Sequence, residues 1–353
     1  MENPFKFGTI VAGEYFTDRK EETIQLVNAL NSRNHVIIIS PRRYGKSSLV
    51  AHALMQTNRL SMTVNLQSVT STSDFAATLI RRAFKLFPFE RVKYLISHFR
   101  IIPTLSVNPL NNGVDVSFQP MIAGDVMLED ALDMLNKLGE KRRLVVVFDE
   151  FQEILSIEKN LDKKLRAVMQ THENINYVML GSQESMMAGI FERKRSPFYH
   201  FGILMRIKRI PHEELLEFLS LRFGAKDIAD AKELSRQVLS FTNCHPYYTQ
   251  QLAFHVWNIL SSSSNNCEVV DKAVRDVVQL HDYDYERLWA TIGKTDKNTL
   301  IRLATANRIS RPQPPSTVQS SLKRLCREGL VLKNDSYQID DPFFAKWIIG
   351  QIE

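Results

Sequence analysis

The chain has 353 residues, 44 % of them apolar and 24 % charged, the composition of a globular protein of two or three domains and not of a fibre or a disordered tail. Its 45 Lys and Arg against 39 Asp and Glu give a formal charge of +6, a modest excess that permits anionic partners without demanding them. Three scattered cysteines, Cys244, Cys267 and Cys326, argue against a disulfide framework or a structural zinc site. Taken with the lack of an apolar N-terminal signal and of any run near the roughly 18 residues that span a bilayer, they lead us to expect a reduced, cytoplasmic protein with no membrane segment.

In chain order, Val36-Ile37-Ile38-Ile39 comes first. Four β-branched residues without alternation indicate a strand buried on both faces of a parallel sheet. Further strands are expected at 62–66, 144–148, 177–180 and 203–210, separated by amphipathic stretches at 46–56, 72–87, 124–138, 160–172 and 184–192. Strands alternating with helices predict an α/β fold. Residues 100–119 break the rhythm and read as an inserted β-hairpin turning at 108–113. After Pro211 the strand signals stop. Helices are expected near 212–223, 229–241, 246–261, 268–292 and 296–307, with a polar linker at 261–266. A loop at 312–315, a helix over 316–328 closed by Gly329, and a hairpin over 330–339 turning at Asn334-Asp335 complete a winged-helix pattern. The expected division is a P-loop core over 1–210, a helical lid over 211–282 and a winged helix over 283–353.

The first strand runs into Ser40-Pro41-Arg42-Arg43-Tyr44-Gly45-Lys46-Ser47-Ser48 and then a helix. This is the strand, tight loop and helix N-terminus of a P-loop. Backbone N–H groups and the helix dipole converge there on phosphate oxygens. Residues 41–48 are therefore the nucleotide-binding candidates. Gly45 allows close approach of the backbone, Lys46 would sit on the β- and γ-phosphates, and Ser47 would be a ligand of Mg²⁺. The position that usually opens such a loop with Gly is Ser40. Taken alone, Gly-Lys-Ser fits the start of an ordinary helix equally well.

The second half lies about 100 residues downstream, where Leu144 to Phe148 ends in Asp149-Glu150. In a Walker B arrangement Asp149 would hold Mg²⁺ and Glu150 would polarise the attacking water. The bland reading is a pair of acids meeting solvent or capping the next helix. After the fourth strand, Leu180-Gly181-Ser182-Gln183 offers a polar residue to sense the γ-phosphate, Ser182 before Gln183, or simply a polar turn.

These residues resemble the archaeal-type ATPase family of the P-loop AAA+/STAND superfamily. Phe16-Thr17-Asp18-Arg19-Lys20-Glu21-Glu22, the 41–49 loop, Phe148-Asp149-Glu150-Phe151-Gln152 and Ser196-Pro197-Phe198-Tyr199 are each similar to a segment of that family. So are His245-Pro246-Tyr247-Tyr248-Thr249-Gln250 and Asp341-Pro342-Phe343-Phe344-Ala345-Lys346-Trp347. The resemblance implies an AAA-like ATPase core, a helical lid and a C-terminal winged helix, with ATP/ADP and Mg²⁺ as cofactors. It also implies that His245 and Pro246 pack near the adenine; read from the residues alone, Pro246 is simply a first helical residue. Two departures stand out. Where many members continue with Gly-Arg, this chain has His200-Phe201, so no arginine finger is carried over, and Arg193 and Arg195 are either substitutes or surface charges. The Gly-Gly before His-Pro is Asn243-Cys244.

Residues 294–335 hold nine basic and three acidic residues. Lys323, Arg324 and Arg327 lie on the helix expected to read DNA in a winged helix, with Ser316, Thr317, Gln319 and Ser320 near its start and Arg308, Arg311 and Lys333 flanking it. DNA contact and a solvated basic face on a protein-interaction module both fit. The expectation is a Mg²⁺-dependent ATPase or ATP-gated switch acting through a winged helix. The alternative is a DNA- or protein-binding regulator that holds nucleotide with little or no hydrolysis. A protein partner or a second copy of the chain stays open.

Overall fold

The computed structural model describes residues 2–16, 19–107, 114–117, 124–225, 230–262, 268–305, 315–333 and 336–352. The expected turns at 108–113 and 334–335, most of the 261–266 linker, Cys267, Thr17, Asp18, Arg308, Arg311 and residues 312–314 lie outside them. The chain forms two compact units, one of residues 20–40 and 49–207, the other of 1–19, 41–48 and 208–353.

The first unit, to which α2 belongs from Leu49 onward, runs α1 Lys20–Asn31, β1 Val36–Ile39, α2 Lys46–Gln56, β2 Leu60–Asn65, α3 Thr72–Leu86, α4 Phe89–Ile96, β3 Thr104–Val107, β4 Val114–Ser117, α5 Gly124–Leu138, β5 Leu144–Asp149, α6 Ile154–Ile157, α7 Leu161–Met169, β6 Ile175–Gly181, α8 Glu184–Phe191 and β7 Ile203–Arg206. Five strands form a parallel sheet in the order β2-β5-β6-β1-β7. β1 and β6 are buried along their whole length and β5 up to Phe148, which is why 36–39, 144–148 and 177–180 read as apolar runs. One core packs Ile37, Val146, Phe148 and Tyr177 against Phe75, Leu79, Leu132 and Met134 of α3 and α5. Each fully buried side chain of this size contributes roughly 1.5–3 kcal/mol. β3 and β4 pair antiparallel, Thr104 opposite Ser117, as the inserted hairpin.

The second unit continues with α9 His212–Gly224, α10 Ala231–Thr242, α11 Pro246–Ser262, α12 Val269–Leu280, α13 Asp282–Thr291, α14 Lys294–Ala304, α15 Pro315–Arg327, β8 Val331–Lys333, β9 Tyr337–Ile339 and α16 Pro342–Gly350. Its core gathers Phe5, Phe223, Trp257, Phe343, Phe344 and Trp347.

Several elements differ from the sequence expectation. β7 ends at Arg206 and not near 210, because its partner β1 ends at Ile39; Ile207 N–H still reaches Ile39 O at 3.0 Å, and beyond it no strand remains to pair with. The helix expected over 268–292 is two helices. His281 leaves helical dihedrals (φ −100°, ψ 5°), and the new direction buries Tyr285, whose hydroxyl donates to Asp341 at 3.0 Å. α1, α4 and α16 were not anticipated as helices. In α16 the N-cap Asp341 accepts from Phe343 N and Phe344 N, with Pro342 at the first turn.

The starts of β1 and β7 supply two tests. A Cβ on Gly202 would lie 2.5 Å from His35 O, the acceptor of Ile203 N–H, whereas one on Gly224 would meet nothing within 4 Å. Gly202→Ala is expected to lower stability by about 1–3 kcal/mol and Gly224→Ala to leave it unchanged or slightly raised, read by denaturant unfolding. His35 Nδ1 accepts from Tyr177 N at 3.2 Å, and its ring stacks on Phe201 at 4.4 Å. Burial, then Arg166, Arg143 and His172, hold its pKa down to about 4. The unfolded chain, titrating near 6.5, binds the proton first, so this contribution is lost as pH falls from 6.5 to 4, by up to about 3 kcal/mol. His35→Gln should flatten the pH dependence of unfolding in that window.

Candidate nucleotide site

The loop leaves β1 at Ser40, which is buried and donates its N–H to Gly181 O at 3.3 Å. Ser40 is not among the residues with positive φ, so glycine's freedom is not required there. It is required at Gly45, at φ +85°, where an added Cβ would meet nothing within 4 Å. The opening of the loop is therefore free on that side. Arg43 is also left-handed, at φ 62°, which costs an L-residue roughly 1–2 kcal/mol. Its guanidinium compensates by donating to Tyr248 Oη at 3.3 Å and lying 4.6 Å over the Tyr247 ring. Arg42 is exposed. Lys46 opens α2, is buried, and donates from Nζ to Pro41 O at 3.1 Å. Ser47 is half-buried, and Ser48 Oγ accepts from Val11 N at 3.1 Å.

Tyr44 anchors the loop. It is buried, its ring stands edge-on to His245 at 4.9 Å, and its hydroxyl accepts from Arg209 Nε at 3.3 Å. Its carbonyl accepts from Arg19 Nη2 at 3.0 Å, and the same nitrogen reaches Lys208 O at 2.9 Å. Arg19 is 3 % exposed; the sequence showed it only as part of a motif, with no signal of this role. His245 is fully buried between Tyr44 and Tyr248, with Nε2 3.3 Å from Asp340 Oδ1. Pro246 begins α11. Asn243 and Cys244 are both left-handed, at φ 48° and 55°, which accounts for glycines at these positions in the resembling family. Burial pushes the Cys244 thiol up.

In the other unit, β5 delivers Asp149 and Glu150 to the C-terminal edge of the sheet. Asp149 Oδ1 accepts from Glu150 N at 3.0 Å, and Glu150 turns the chain at φ 54°. Glu150 Oε2 accepts two hydrogen bonds, from Ser182 Oγ and from Gln152 Nε2, each 2.6 Å. β6 lies next to β5, so the residue after its end reaches this carboxylate. Ser182 thus meets Glu150, and Gln183 precedes α8. Gln152 is fully buried and its Oε1 has no hydrogen-bond partner among the described residues. That is an unfilled acceptor beside the carboxylate which sequence reasoning missed, although Gln152 stood in the quoted motif.

The structure thus gathers Asp149, Glu150, Ser182 and Gln152 in one unit and residues 41–48 with His245 and Pro246 in the other. Among the described residues no group of three or more His, Cys, Asp or Glu side chains could hold a metal ion by itself. Mg²⁺ does not call for such a group, since it keeps several waters and takes phosphate oxygens beside one or two protein oxygens.

No protein-family model matches the sequence, and no curated protein is similar to it in sequence. Solved structures are similar over nearly the whole chain. A Walker-type ATPase of Pyrococcus abyssi superposes with a TM-score of 0.69 at 18 % identity, covering 98 % of this chain and 99 % of that one. The ORC2 protein of Aeropyrum pernix, solved in ADPNP–ADP complexes, gives 0.56 at 15 % identity over 99 % and 98 %. The ORC1 protein of the same organism, solved with DNA, gives 0.51 at 10 % identity over 95 % and 93 %. The fold is that of the archaeal P-loop ATPases.

Within this fold, Phe201, where the resembling family has an arginine, is a core residue held between His35 and the Arg166 guanidinium, 4.7 Å from its ring. Arg193 and Arg195 are exposed. On α15, Ser316, Gln319, Ser320, Lys323 and Arg327 are exposed along one face. Arg324 is engaged elsewhere, donating from Nε and Nη2 to Asp296 of α14 at 3.1 and 2.7 Å.

Arg19→Ala would leave two carbonyls without their charged donor. It is expected to cost about 2–3 kcal/mol and to speed amide hydrogen exchange across 41–48 more than across β5 and β6.

Proposed function

We propose that this chain is a cytoplasmic Mg²⁺-dependent ATPase that couples its nucleotide state to a C-terminal winged helix formed by α14, α15, the β8–β9 hairpin and α16. The observation that carries the reading is the Glu150 carboxylate, aimed by short bonds from Ser182 and Gln152 at the end of an apolar strand. A solvated or helix-capping acid has no need of two such donors. The N–H groups of residues 41–48 and the Lys46 ammonium bind the ATP phosphates. Ser47 of one unit and Asp149 of the other would each offer Mg²⁺ an oxygen, and the ion when bound would supply charge neutralisation for the phosphate oxygens. Glu150 takes the proton of the attacking water, and Ser182 and Gln152 orient it. His245, edge-on to Tyr44, and Pro246 beside it at the start of α11 pack near the adenine.

A second reading is a regulator that retains nucleotide with little hydrolysis. It is favoured by Glu150 being already bonded to two donors and by Phe201 at the arginine position, since an arginine finger contributes about 10³–10⁵ in rate. In either reading the exposed face of α15 is the DNA-contacting surface, through Lys323 and Arg327, with Arg324 as its brace on Asp296.

Radiolabelled ATP decides between the readings. Wild type should hydrolyse ATP in Mg²⁺, Lys46→Ala should lose binding, and Glu150→Gln should bind but turn over at least about 10²-fold more slowly. Ser182→Ala should lower kcat with little change in KM. Wild-type binding without turnover would support the regulator, and no binding would remove both.

A further inference from the structure

Parallel strands start at a common edge, and the ATPase reading uses only the opposite one. The turns entering β1, β2, β5 and β6 are residues 31–35, 57–60, 139–143 and 172–176. They carry Arg33, Arg59, Lys141, Arg142 and Arg143 against two acids, Glu140 and Glu173. Among the described residues none of these five cations has a carboxylate within 4 Å. Their bonds go to neutral acceptors instead. Arg59 reaches Arg143 O at 2.9 Å, Leu30 O at 2.6 Å and Asn176 Oδ1 at 2.8 Å. Arg143 reaches Ser32 O at 2.9 Å, and Arg142 reaches Asn58 Oδ1 at 2.8 Å. Arg59 and Arg143 thereby cap the C-terminal carbonyls of α1, a structural use. Arg33 and Lys141 have no such use: they are exposed and make no side-chain bond to a described residue.

We infer that this edge of the sheet is a second, sequence-independent binding surface for a nucleic-acid phosphate backbone. Like charges held this close, with the Arg59 and Arg143 guanidinium pKa values lowered by burial and by neighbouring arginines, call for an external anion. β2 and β1 are separated by three strand spacings, about 14 Å, so the cations span about four phosphates of one strand. Arginine, predominant here, matches phosphate with paired donors. An acidic protein partner is disfavoured, since none of the large exposed apolar side chains lies in these four turns and protein interfaces are anchored by such groups.

The test uses the full chain and a fluorescein-labelled duplex of about 20 base pairs, with polarisation read from about 50 to 200 mM salt. Arg33→Glu/Lys141→Glu alters only side chains without bonds, and an unchanged melting curve verifies its fold. It should weaken binding about tenfold or more and flatten log K against log salt by about 0.9 for each phosphate no longer neutralised. Lys323→Ala/Arg327→Ala should leave this component in place. The inference is overturned if the double charge reversal leaves affinity and slope unchanged, if the α15 variant abolishes all binding, or if wild type fails to bind duplex at low salt. It is equally overturned if wild type binds poly-glutamate or phosphatidylserine vesicles and not the duplex. No step uses ATP, so failure of the nucleotide reading shows separately in the hydrolysis assay.

Discussion

A strand with neighbours on both sides and helices on both faces has no place for a charge. That constraint organises the first unit. β1 and β6 carry nothing but buried positions, and β5 is buried up to Phe148. Polar chemistry is therefore pushed to the strand ends. At one edge are Asp149, Glu150 and Ser182, with Gln152 one turn on. At the other are the arginine-bearing turns and the buried Asn176, whose amide ties Ser32 O and Asn34 O together.

The same constraint explains what could be read without a structure. A short unbroken apolar run bounded by polar residues has few alternatives to a buried strand, so β1, β5 and β6 were legible, and with them the loop after β1 and the acids after β5. α2 matches its expected limits because Gly45 and the apolar spacing mark both ends. Short or sparsely apolar elements were not legible. α4 has eight residues, and α1 buries only four of its twelve. The break at His281 depends on Tyr285 finding Asp341, a contact 56 residues away that no local pattern encodes.

The site was legible in its parts and not in its connections. Motif spacing named Glu150 and Ser182 but did not show that they bond to each other. Arg19, Gln152 and Tyr44 act through backbone carbonyls, an orphan amide oxygen and a ring edge, and none of these leaves a signature in composition. Charge behaves likewise. Counted along the chain, the basic excess falls at 294–335, yet folding brings five cations from three separate turns to one edge and commits Arg324 to Asp296.

Arg19 ties the loop carbonyl of Tyr44 to that of Lys208, residues separated by 164 positions in the sequence. On a ribosome the first two are made early and the third only after well over half of the chain has emerged. β1 must also wait, for β6 and then β7. The nascent N-terminal third can form helices and collapse, but its 41–48 loop stays unset until the segment after β7 arrives. The loop is thus made early and takes its final conformation late in synthesis.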